Sequence, residues 1–216
     1  MSAVKLHRFG IKVKREGIQY SFTEKLRKIM NYYKSPKNVE QYIQSSIGFD
    51  GTFLINKMGK YLSPKSTVLE LGMGEGKDSE IINATYKVTA SDSSPVFVEN
   101  LKSKSPDFDV LSLDAISINT NKTFDAVYSN KVLIHLARQE CKTSVQRQHS
   151  IMNKNGIVLH SFWYGNDTEE YGELFSVNYN ESLLTELFVK HWDILEMKRY
   201  KEMEEDDSIY VICRKK

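Results

Sequence analysis

The spacing of apolar residues changes along this chain, and each change marks a new kind of element. Phe9, Ile11 and Val13 alternate with basic residues, KREG supplies a turn signal, and Ile18, Tyr20 and Phe22 alternate again, so residues 1–22 read as a hairpin with a basic face. From Thr23 the spacing turns helical, through Leu26, Ile29, Met30 and Tyr33. Ser35-Pro36 opens a second helix carrying Val39, Tyr42, Ile43 and Ile47, which Gly48 and Gly51 break. Leu54, Met58, Tyr61 and Leu62 predict a third, ended by Ser63-Pro64.

Beyond Pro64 strands and helices alternate. Strands are expected at Thr67–Leu71, Lys87–Ser91, Phe108–Leu113, Phe124–Ser129 and Ile157–Phe162, the last almost continuously apolar, as in a strand covered on both faces. Helices are expected at Gly76–Ala84, from Ser94-Pro95 to about Lys104, and along the face of Cys141, Val145, His149 and Met152, with Asn155-Gly156 as its C-cap. Asn180 caps a helix bearing Leu183, Leu184, Leu187 and Phe188, and Trp192–Tyr200 and Ser208–Cys213 close the chain as paired strands. The run from Glu202 to Asp207 between them reads as a solvated turn. The expected fold is α/β: a doubly wound, mostly parallel seven-stranded sheet with an antiparallel last strand, preceded by the N-terminal helices and hairpin.

Composition narrows the classes without deciding among them. At 216 residues and a net charge of +2, the chain suits one large domain and lacks the strongly basic balance of a nucleic-acid-binding protein. Its two cysteines, Cys141 and Cys213, are too far apart in sequence for a metal spacing, and no other set of ligands has one, so no metal is expected. No secretory signal or membrane-length apolar run is visible, which sets the expectation of a cytoplasmic protein with no membrane partner.

The chemistry is concentrated in Val68-Leu69-Glu70-Leu71-Gly72-Met73-Gly74-Glu75-Gly76, where a strand turns into a helix. Glycines at alternate positions there allow unusual φ and remove Cβ atoms from a ligand's path. The dinucleotide fingerprint G-x-G-x-x-G needs glycine at 77, which is Lys77, and this counts against NAD. Asp92 ends the next strand about 20 residues after Gly72, where a carboxylate can accept bonds from both hydroxyls of a ribose.

VLELGMGEGKDS resembles motif I of the class I S-adenosylmethionine-dependent methyltransferases, with VTASDSSP, LSLDAISI, FDAVYSNKVLIHL, NKNGIVLHSF and DDSIYVICRKK resembling the later motifs in order. The resemblance runs from about Tyr42 to the C-terminus and implies S-adenosylmethionine as cofactor. It implies cofactor contacts from Glu70, Gly72, Met73, Gly74 and Gly76, from Asp92 and Ser93 at the ribose, from Asp114 and Ala115 at the adenine, and from Asn130. It also implies residues 63–216 as the catalytic domain and the helices of the 1–62 segment, which begins with the hairpin, as a lid.

The acceptor side is less marked. His135, just past the fourth strand, is the candidate base, whereas His160 within the fifth and His149 on a helix read as structural. Trp163 and Tyr164 after the fifth strand, with Tyr42 and Tyr61 opposite, are candidate acceptor walls. Further along, Tyr171, Phe175 and Tyr179 divide between that pocket and plain core packing. A small-molecule acceptor is expected. The basic residues Lys5, Arg8, Lys12, Lys14 and Arg15 keep RNA or protein acceptors open. A non-catalytic cofactor-binding module and, last, an NAD-dependent oxidoreductase remain as other classes.

Overall fold

The computed structural model describes residues 32–171 and 174–216. The hairpin expected over 1–22 and all but the end of the helix expected from Thr23 lie outside them. The described chain opens with α1 (Pro36–Ser45) and α2 (Thr52–Met58), then runs β1 (Thr67–Leu71), α3 (Lys77–Asn83), β2 (Lys87–Asp92), α4 (Pro95–Lys104), β3 (Asp109–Ser112) and β4 (Phe124–Asn130). A 3-10 turn (Leu133–His135) leads to α5 (Arg138–Ile151) and β5 (Met152–Trp163). The hairpin β6 (Thr168–Tyr171) and β7 (Leu174–Val177) follows, then α6 (Glu181–Phe188), β8 (Trp192–Tyr200) and β9 (Ser208–Lys215).

Seven strands form one sheet in the order β3-β2-β1-β4-β5-β9-β8. β3, β2, β1, β4 and β5 pair in parallel, and β9 is antiparallel to both β5 and β8. The central strands are apolar because both sheet faces are covered: Val68, Leu69, Ala126, Val127, Val158 and Leu159 are all fully buried. Buried polar side chains in these strands, Glu70 among them, are therefore exceptions that demand partners.

Three expectations are corrected. Met152 is not helical and Asn155-Gly156 is not the C-cap: α5 stops at Ile151, Met152 is already extended (φ −85°, ψ 137°), and it pairs with Phe124. Asn155, at φ 61°, sits where the register jumps between the Phe124–Met152 and Ala126–Ile157 pairs, so its turn signal belongs to an irregularity inside β5. The third helix ends at Met58 rather than at Ser63, and the stretch after β5 contains the unexpected β6–β7 hairpin.

His160 of β5 is fully buried, its Nδ1 2.8 Å from Ser129 Oγ and its Nε2 2.8 Å from Gln148 Oε1. Burial pushes its pKa from 6.5 down to about 3, so the native ring stays neutral. The unfolded chain takes up a proton near pH 6.5 that the native one refuses. Its contribution to stability is therefore complete above pH 6.5 and falls by about 1.4 kcal/mol per pH unit below it. Urea unfolding of the wild type and His160→Gln at pH 7 and pH 5 should show the stability difference between them shrinking by about 2 kcal/mol at the lower pH. A difference that stays constant would contradict a neutral buried ring.

Candidate functional site

The sheet order reverses between β1 and β4, which opens a crevice at the carboxyl ends of the strands. A cleft lies there in two lobes, with cavities of about 180 and 260 Å³, and six residues line both: Tyr42, Gly72, Gly74, Asn130, Lys131 and Trp163.

The glycine loop shapes the junction of the lobes. Gly72 (φ 68°) and Gly74 (φ 54°) both hold the left-handed backbone that side chains disfavour. A Cβ on Gly72 would lie 2.4 Å from Val132 Cγ2, while one on Gly74 would meet nothing nearer than Tyr42 Cε1 at 3.6 Å. Gly72 thus lets the loops after β1 and β4 touch, and Gly74 presents bare backbone beneath the Tyr42 ring.

The first lobe is acidic. Glu70, at the end of β1, is buried and accepts the Ser79 hydroxyl; burial first, and then the Asp78 carboxylate, push its pKa up to about 8. Asp78 accepts from Gly51 N (2.6 Å), the Tyr128 hydroxyl (2.7 Å) and Asn130 Nδ2 (3.4 Å). Desolvation raises its pKa despite these donors. Glu75 pairs with Lys77 at 2.5 Å, and Lys77 Nζ donates to Ser46 O, tying the end of α1 to the glycine loop. Met73, expected in the loop, is buried and lines this lobe.

The second lobe combines apolar walls with carboxylates. Asp92 is buried, its two oxygens accepting from Gly74 N (3.0 Å) and Ser94 N (2.8 Å), with burial raising its pKa and these bonds holding it down. Ser93, Phe97, Leu113, Asp114, Ala115 and Ile116 continue the lining. Asp114 Oδ1 accepts from the backbone N–H groups of Ile116 (3.0 Å) and Ser117 (2.9 Å), which organises the loop after β3. His135 lines the same lobe and bonds Phe175 O through Nδ1 at 2.9 Å. A carbonyl only accepts, so Nδ1 carries the hydrogen and Nε2 is the basic atom; burial lowers the ring's pKa and favours this neutral form. Tyr33, Tyr42 and Phe97 pack ring against ring above this lobe, with centroids 5.5–6.1 Å apart.

Five expected residues fall outside both lobes, Phe175 and Tyr179 because they pack in the buried core. Gly76, at φ 87°, caps α3, and a Cβ there would lie 2.7 Å from Leu101 Cδ1, so its place is helix packing rather than ligand approach. Tyr164 is half-buried beneath the Arg199 guanidinium, 3.9 Å from its ring centroid, and Tyr61 donates to Glu196 on β8 at 3.1 Å. The acidic turn is not simply solvated either. Asp207 caps it by accepting from the backbone of Glu202, Met203 and Glu204, and Glu202 enters the first lobe to pair with Lys131 at 2.9 Å. Lys131 Nζ also reaches Tyr200 and Ser208 and lies 4.0 Å from the Trp163 ring centroid. Asp78, Phe97, Lys131 and Glu202 were missed as site residues. For Asp78 the signal was its place in the turn after the last glycine; for Glu202 there was none, since only the sheet brings it to β4.

Residues 68–156, from β1 into β5, match the family described as a methyltransferase domain. Among solved structures, 1,6-didemethyltoxoflavin-N1-methyltransferase from Burkholderia thailandensis is similar with a TM-score of 0.70 at 16% identity, over 93% of this chain and 93% of that one. The N-methyltransferase NodS from Bradyrhizobium japonicum gives 0.66 at 13% identity, over 88% and 98%. TehB from Haemophilus influenzae gives 0.63 at 22% identity, over 82% and 67%. No curated protein matches the chain by sequence. Among the described residues no helix is long and apolar enough to cross a membrane.

Proposed function

We propose that this chain, a class I S-adenosylmethionine-dependent methyltransferase, moves the methyl group onto a small-molecule acceptor. The cleft fits the cofactor chemically: an apolar lobe with buried Asp92 suits an adenosine, and the carboxylates of the other lobe suit a cationic amine. When bound, S-adenosylmethionine supplies a methyl on a positively charged sulfonium, an electrophile that needs no further activation. The chain's own work is then to bind, align and exclude water.

In this reading Asp92 accepts the ribose hydroxyls, with Ser93 beside it. Asp114 Oδ2 accepts the adenine amino group while Ala115 frames the ring. Glu70 and Asp78 face the ammonium, and Gly72, Met73, Gly74 and Asn130 form the floor. The described part of the N-terminal segment, α1 and α2, serves as a lid ahead of the 63–216 domain, with Tyr42 of α1 its contribution to the cleft. Trp163 and Tyr42 wall the junction where the acceptor meets the methyl. The observation that carries the small-molecule reading is the sign of the cleft: carboxylates outnumber ammonium groups along both lobes, which repels a polyanion such as RNA. Two structural neighbours named as N-methyltransferases, one holding 1,6-didemethyltoxoflavin, support it. Assays with a low-molecular-weight metabolite fraction, total RNA and total protein in parallel test it. S-adenosylhomocysteine should form with the first, and formation only with RNA or protein would overturn the reading.

Two further outcomes follow. An ammonium beside Glu70 favours its ionised form, so binding of S-adenosylhomocysteine at pH 7 should release a proton. Calorimetry in phosphate and Tris should give enthalpies that differ with the buffers' ionisation heats, and Glu70→Gln should abolish the difference; equal enthalpies for the wild type would contradict it. His135 Nε2 is the atom to take a proton from an acceptor that sheds one. His135→Gln should lower kcat by about 100-fold or more with S-adenosylhomocysteine affinity unchanged. Normal turnover would remove His135 from the chemistry.

A further inference from the structure

A buried chain of polar groups connects the centre of the sheet to the loop after β3. Ser144 and Gln148 lie on the core face of α5 beside Cys141 and Val145, where the helical pattern calls for apolar residues. Ser144 Oγ is 2.6 Å from Ala115 O, Gln148 Nε2 is 3.1 Å from Ser144 Oγ, and His160 and Ser129 complete the line.

The direction of every bond follows from the last acceptor. A carbonyl cannot donate, so Ser144 gives its proton to Ala115 O and must accept from the amide of Gln148. That turns the Gln148 oxygen to His160, whose Nε2 therefore carries the hydrogen, and Nδ1 accepts from Ser129. Ala115 O and Ile116 N belong to one peptide plane. The first is held by Ser144 and the second by Asp114 Oδ1. Fixing that plane fixes the rotation of the carboxyl of Asp114, a residue that lines the second lobe and bonds the loop through Oδ1 alone among the described contacts. Arg147 holds the outer side of the same loop through Ser117 O, Ile118 O and Thr120 O.

We propose that Ser144, Gln148 and His160 are positioning residues that aim Asp114 at the purine and so set the preference for an amino over an oxo group at its sixth position. This rests on the reading that Asp114 faces the adenine. No bond of the relay touches ligand; each acts through the next.

The test is calorimetric affinity for S-adenosylhomocysteine and its inosine counterpart, which has a carbonyl in place of the amino group. The wild type should favour the adenosine compound by about 50-fold or more, the discrimination expected where a carboxylate acceptor would face a carbonyl. Ser144→Ala, which removes one hydroxyl and little volume, should compress that ratio by about 10-fold, and Gln148→Leu likewise. Thr143→Ala, on the exposed face of α5 and bonded only to Gln139 O, should leave the ratio intact. Equal loss of both affinities in Ser144→Ala, with the ratio preserved, would reduce the relay to a structural role and overturn the proposal. Asp114→Ala separates the two ideas. If it collapses the ratio while Ser144→Ala does not, the relay fails alone; if it too leaves the ratio unchanged, the adenine assignment fails and the relay with it.

Discussion

Asp92→Ala should weaken S-adenosylhomocysteine binding by about 100-fold or more. The carboxylate stands buried at the end of β2, beside β1, with one oxygen on Gly74 N and the other on Ser94 N. In the proposed reading the carboxylate also accepts the ribose hydroxyls, and a hydrogen bond to a charged group contributes about 1.5–3 kcal/mol. Loss of two such bonds exceeds the 2.7 kcal/mol that 100-fold represents. The substitution also releases Gly74 N, so part of the loss comes from a looser glycine loop. Asp92→Asn retains one acceptor and should fall between. Calorimetry on both variants checks this, and wild-type affinity in Asp92→Ala would remove Asp92 from the ribose.

The second large effect is on stability. Gly72→Ala places a methyl 2.4 Å from Val132 Cγ2 and 2.7 Å from Cγ1, on a backbone at φ 68°. The left-handed conformation costs about 1–2 kcal/mol for a residue with a Cβ, and overpacking a further 1–3 kcal/mol. A loss of about 3 kcal/mol should lower Tm by roughly 6–12 °C in a chain of this size. Gly74→Ala, at φ 54° with 3.6 Å to its nearest neighbour, carries only the backbone strain and should cost about half as much. Adding Val132→Ala to Gly72→Ala should recover the overpacking part. Thermal unfolding of the four proteins decides: equal losses for the two glycine variants would show that strain alone, not contact with Val132, governs the loop.

Much of the architecture was legible because the signals were local. Thr67–Leu71 and Trp192–Tyr200 have the bounds expected of them, since apolar runs between turn residues leave little choice of register. Asn155-Gly156 misled because the same dipeptide closes helices and bends strands, and only the burial of Met152 against Phe124 distinguishes the two. The β6–β7 hairpin was hidden because its first strand, TEEY, is mostly polar.

The site divides in the same way. Gly72, Gly74, Asp92 and Asp114 follow from their places at strand ends. Asp78 does not, because an acid in the first turn of a helix reads as a partner of the helix dipole. Ser144 and Gln148 broke the apolar face of α5, a conflict visible in sequence but without meaning until Ala115 and His160 were placed beside them. Glu202 and Lys131 are 71 residues apart and meet only because β9 lies between β5 and β8.

The central claim is that the cleft between β1 and β4 holds an adenosyl sulfonium cofactor rather than a dinucleotide. Parallel calorimetric titrations of the full chain with S-adenosylmethionine, S-adenosylhomocysteine and NAD test it most directly. Saturable binding of the two adenosyl compounds and none of NAD is the result predicted; binding of NAD alone, or of none of the three, would contradict it.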